Sequence, residues 1–139
     1  ETGVNALLES RLKAQRARAL LARGEVAAAR DLIERLVGAP EQNPLSHLRL
    51  LFTLAEVLIV SDAVGERARI EATLREAAEL AERRGEPGTH ANVCTERARL
   101  AHALGDAAGW QREMREALRI YTEMDATGHM ERIASELAS

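Results

Sequence analysis

A histidine four residues ahead of a cysteine, with a second histidine two turns further on, is the densest grouping of metal-binding or redox side chains in this sequence: His90, Cys94 and His102. On a helix, i,i+4 spacing places an imidazole and a thiol on one face, a pairing suited to transition-metal ligation or thiol chemistry. No second ligand cluster accompanies it, so a helix-start histidine and a small buried cysteine is the stronger reading. Glu76, Glu79 and Glu82 form the next cluster. General acid–base catalysis needs a carboxyl group with a shifted pKa in a dry pocket, whereas these alternate with arginines at helical spacing and belong to a solvated, salt-bridged face. There is no P-loop, Gly-rich dinucleotide turn, nucleophile elbow or Cys-x-x-Cys pair. The sequence therefore predicts no enzyme, no cofactor and no metal site. Trp110, Phe52 and Tyr121 are the aromatic residues, 2% of the chain. Trp110 falls at a core-facing helical position, which favours packing over ligand stacking.

The elements that position these residues follow from composition. Hydrophobic residues make up 46% of 139, so with few aromatics the core must be built from Leu, Ile, Val and Ala. That palette suits close-packed helices and fits strands poorly. Net charge is −3, from 19 basic and 22 acidic residues, with no basic block or acidic tail. This gives no case for nucleic acid or for an anionic membrane surface. The most apolar stretch, Leu48 to Val60, carries Arg49, Thr53 and Glu56 and is too short to span a bilayer. A single cysteine forbids an internal disulfide, and a cytoplasmic location is the default expectation. Of the basic residues only Lys13 is a lysine, and richness in Arg and Ala suggests a GC-rich bacterial source. Residues 1–3, Glu-Thr-Gly, read as a vector-derived scar outside a single domain spanning 4–139.

Glycines and prolines punctuate the chain, and between them apolar residues recur with a helical period. The pattern predicts seven helices and no sheet: 5–23, 25–37, 44–63, 66–84, 89–104, 106–124 and 128–138. Asn43 before Pro44 reads as an N-cap with proline at N1, and Thr89, Asp106 and Thr127 read as further caps. In the fourth helix Glu71–Arg75, Arg75–Glu79 and Glu79–Arg83 are candidate i,i+4 ion pairs, opposite an apolar face of Ile70, Leu74, Ala77, Ala78 and Ala81.

Helix pairs meet at a glycine followed by an acid: Gly24–Glu25, Gly65–Glu66 and Gly105–Asp106, 41 and 40 residues apart. Five residues beyond each glycine lie Ala29, Ile70 and Trp110; nine beyond, Ile33, Leu74 and Met114; twelve beyond, Leu36, Ala77 and Ala117. All nine are apolar and share one helix face. The glycine ends the first helix of a pair in the left-handed conformation, and the acid meets the dipole of the next. Neither helix can bury its stripe alone, so pairs stack and share a core.

The segments Leu21–Arg30 (LARGEVAAAR) and Leu104–Glu113 (LGDAAGWQRE) resemble the helix-turn-helix joint of tetratricopeptide repeats. The stretch Ala117–Ile133 (ALRIYTEMDATGHMERI) resembles the terminal segment of the helical arms carried by large bacterial signalling ATPases, transcriptional activators and nucleotide cyclases. The period is nearer 40 residues than 34, and Leu, Ala or Ile replace most of the motif's aromatics. The resemblance implies an all-α, right-handed superhelix of about three antiparallel helix pairs (5–37, 44–84 and 89–124) closed by a capping helix at 128–138. It also implies a docking or sensing arm whose catalytic machinery lies on other domains.

In such arrays the first helix of each pair lines a concave groove. Carried onto this sequence, the family's groove positions fall on Arg11, Arg18, Phe52, Ile59, Asn92, Thr95, Arg99 and His102. Three arginines and an asparagine resemble a clamp for a peptide's C-terminal carboxylate or for acidic side chains; the alternative is that they are merely exposed charges. The expected function is a protein-interaction scaffold or sensor module of a bacterial regulator. Small-ligand sensing and a structural or oligomerisation role are the alternatives. Met130, Ile133, Ala134 and Leu137 form one stripe that closes the last pair, while Leu7, Leu8 and Leu12 would be exposed on the first helix and invite a concentration-dependent homodimer.

Overall fold

The computed structural model describes residues 2–38, 44–85 and 87–138, and among them there are seven α-helices and no strand. These are α1 (Thr2–Ala22), α2 (Val26–Gly38), α3 (Pro44–Asp62), α4 (Arg67–Arg84), α5 (Pro87–Ala103), α6 (Ala107–Glu123) and α7 (Thr127–Ala138). The chain divides into two compact units, residues 1–77 and 78–139, with the division falling inside α4. No described helix is long and apolar enough to cross a membrane. Thr2 and Gly3 are already helical, so α1 starts ahead of the expected Asn5. The expected cap Asn43 lies outside the described residues.

In the first unit α1 packs on α2, and α3 packs on both. The core is aliphatic, as the composition requires. Ala14 and Ala17 from α1, Ala29 and Ile33 from α2, Leu51, Leu54, Ala55 and Leu58 from α3, and Ile70, Leu74 and Ala77 from α4 are all buried. Two threonines are buried with them. Thr53 and Thr73 donate back to the carbonyls of Arg49 and Arg69 at 3.1 and 2.8 Å, which satisfies each hydroxyl within its own helix. A polar clasp closes the edge. Arg30 on α2 donates to Glu34 at 2.9 Å, to Ser61 Oγ at 3.1 Å and to Glu66, and Arg69 reaches the same Glu34 at 2.9 Å. The two guanidinium groups hold the Glu34 carboxyl below the usual carboxylate range.

In the second unit α6 packs on α5 and on α7. Ala91, Cys94 and Ala98 from α5 meet Met114, Ala117, Ile120 and Tyr121 from α6, with Ile133 of α7 inserted among them and Trp110, Met130 and Leu137 packed at the margin. Of the nine positions that share the repeat frame, seven are buried; Leu36 and Trp110 are half-buried. On α4 an ion pair forms between Arg67 and Glu71 at 3.4 Å.

The joints show what sets the helix ends. At Gly24 (φ 82°) and Gly105 (φ 77°) the chain turns through the left-handed region, as expected. Each is bracketed by the same pair of bonds: Gly24 N–H to Leu21 O with Glu25 N–H to Leu20 O, and Gly105 N–H to His102 O with Asp106 N–H to Ala101 O. Gly65 is different. It has no positive φ, and its N–H donates to the Asp62 carboxylate at 2.9 Å. The expected mechanism fails there because α3 ends in a side-chain-capped turn. The acids also diverge. Asp106 caps α6 by accepting from Gly109 N–H, whereas Glu66 turns instead to Arg30.

The joint between α6 and α7 repeats the bond pattern with no glycine. Asp125, at φ 56°, donates from its N–H to Thr122 O, and Ala126 N–H donates to Tyr121 O. Ala126 O accepts from Met130 N–H, so Ala126 holds the place expected for the cap Thr127, which is the first residue of α7. Likewise Thr89 lies inside the first turn of α5 and is not its cap, because that helix starts at Pro87.

Candidate functional site

The expected groove residues fall in both units. In the first, Arg11 and Arg18 lie seven residues apart on one face of α1, both exposed. Phe52 and Ile59 are half-buried on α3. Arg18 is not an open charge: its Nε donates to Glu56 Oε1 at 2.9 Å, and Glu56 sits between Phe52 and Ile59 along the same face. A partner carboxylate would compete with Glu56 for this guanidinium.

In the second unit Asn92, Thr95, Arg99 and His102 form one face of α5, at steps of three, four and three residues. Asn92, Arg99 and His102 are exposed; Thr95 is half-buried and turns its hydroxyl to Asn92 O at 2.8 Å. Arg99 Nη1 donates to Glu96 at 2.9 Å, and that carboxylate is only 9% exposed. His102 occupies the last turn of α5, where a basic ring faces the negative end of the helix dipole.

Asn92 belongs as well to a cluster that sequence reading missed. Its Oδ1 accepts from the buried Tyr121 hydroxyl at 3.1 Å, which leaves the amide Nδ2 with its two N–H groups to donate elsewhere. The Tyr121 ring stacks on His129 of α7, with centroids 4.4 Å apart and planes 10° from parallel. Burial pushes the phenol upward, against the pull of Arg132. These residues line a cavity of about 500 Å³, with Gly85, Gly88, Thr89 and Met124 as its other walls. A tyrosine 29 residues from its asparagine leaves no local signal in the sequence.

His90 and Cys94 line a second cavity of about 440 Å³, among Arg97, Glu113, Glu116, Arg119 and Glu123. Burial, helped by Glu113 and Glu116, pushes the Cys94 thiol up to about 11. The proton therefore stays on sulfur near neutral pH, which opposes both nucleophilic attack and metal ligation. Arg119 clamps Glu116 at 2.5 Å and Glu123 at 2.7 Å, so two of the carboxylates here already have a cation. Among the described residues no three His, Cys, Asp or Glu side chains are grouped to hold a metal ion.

No family model matches this chain, and neither does any curated protein or solved structure.

Proposed function

We propose that this chain is a non-catalytic, tetratricopeptide-like interaction module of a larger bacterial signalling or transcription-regulating protein. In this reading the helix pairs stack as a right-handed superhelix, and the first helix of each pair presents the binding face to a protein or peptide. The observation that carries the reading is the face of α5. Asn92, Arg99 and His102 stand exposed in register, while Ala91, Cys94 and Ala98 on the flank beside them supply the core. A helix so divided has one side for stability and one side for contact. Donors dominate the contact side, and this selects an acidic segment or a terminal carboxylate.

The test is fluorescence anisotropy with acidic peptides carrying a free or an amidated C-terminus. Binding that weakens with added salt, and that favours the free carboxylate, is the expected result. Peptides that fail to bind in either form would remove the reading. A second reading, small-ligand sensing, is favoured by the cavity around Asn92 and Tyr121. A thermal shift with a small anionic metabolite, lost in N92A, would support it.

A further inference from the structure

We propose that α7 exchanges between two copies of this chain, each copy's α5–α6 groove being filled by the α7 of the other. Three observations carry this. First, α7 is held lightly: Ile133 is its one buried side chain, whereas α6 buries five residues. Ile133 joins the core cluster that α5 and α6 share, packing from the α6 side, and Met130 and Leu137 pack against the same cluster. Second, the hinge is short and strained. It consists of Met124, Asp125 and Ala126, and Asp125 holds the left-handed conformation that the equivalent joints give to glycine. Short strained hinges invite exchange, because opening relieves the strain while every native contact is made again between copies. Third, α7 carries His129, a wall of the cavity beside Asn92. After exchange that wall comes from the second copy, so each cavity is completed by the other chain.

The tethered α7 competes at an effective concentration in the millimolar range. Hinge strain, relieved twice per dimer, is what lets exchange occur below it. The exchange is independent of the peptide-binding reading, since dimer fraction and peptide affinity are separate readouts.

The test is light scattering on the full chain up to about millimolar concentration, together with energy transfer between donor- and acceptor-labelled copies mixed and incubated. The expected result is a dimer fraction that rises with concentration and slow gain of energy transfer. D125G, which removes the strain, should lower the association constant by about tenfold, while L12E should leave it unchanged. Deleting residues 124–126, so that α7 cannot fold back, should give an obligate dimer. A wild-type chain that stays monomeric throughout, or a dimer that D125G does not weaken, would overturn the proposal. The D125G comparison decides the matter even where the deletion fails to fold.

Discussion

Cys94 shows how burial decides chemistry at the scale of one residue. Its spacing from His90 suits a ligand pair, yet the thiol sits in an alanine-rich core with two carboxylates nearby, and the charged form is penalised by both. Alkylation of the native chain near pH 8 should therefore run roughly a hundredfold slower than that of the urea-unfolded chain. The same shift has a sign in stability. The folded thiol holds its proton above the pH at which an unfolded thiol releases it. Stability is thus intact below the ordinary thiol range and falls as pH rises towards about 11. The upward-shifted Tyr121 acts in the same direction. Denaturant titrations across that window should show a smaller decline for C94A than for wild type; identical pH profiles would show that the thiol is not desolvated. Glu34 acts oppositely. With its carboxyl held low by Arg30 and Arg69, its contribution is present at neutral pH and lost as pH falls through the carboxylate range.

At the scale of elements the joints carry the fold, and they rank the substitutions. G105A should cost about 1–2 kcal/mol, because alanine resists the left-handed conformation seen there. D125G should gain about 0.5–1 kcal/mol, by placing the permissive residue where the chain already turns left-handed. Urea midpoints of the two variants should move in opposite directions. A G105A chain as stable as wild type would mean that the joint is not built as described. Much of this level was legible in the sequence: seven helices, most ends within a few residues, and seven of nine frame positions buried. The glycine-plus-acid signature worked at Gly24 and Gly105 because the backbone demand there is local. It misread the mechanism at Gly65, where the Asp62 carboxylate supplies the cap, and it was silent at Asp125, where a residue other than glycine takes the left-handed turn. The candidate site was less legible. The α5 face came from the groove positions that the resemblance to tetratricopeptide repeats implies, but the Arg18–Glu56 pair and the Tyr121–Asn92 bond join residues 38 and 29 apart. No local pattern encodes such contacts.

At the scale of the whole molecule, the chain divides its residues between a core of small aliphatic side chains and faces dense in arginine and glutamate. Two of the arginines in the proposed binding faces, Arg18 in the first unit and Arg99 in the second, already hold intramolecular carboxylates. The carboxylates they hold are shielded, Glu56 at 19% and Glu96 at 9% exposure, so an acid from a partner has to displace a partly buried one. In the proposed binding, an acid from a partner replaces Glu56 at Arg18 or Glu96 at Arg99, and each arginine is expected to contribute to affinity. The most direct measurement is the affinity of the tightest-binding acidic peptide for wild type and for the double variant R18E/R99E, with helical content checked by circular dichroism. The expected result is at least a tenfold loss of affinity, about 1.4 kcal/mol, with helicity unchanged. Equal affinity in a fully helical double variant would contradict it.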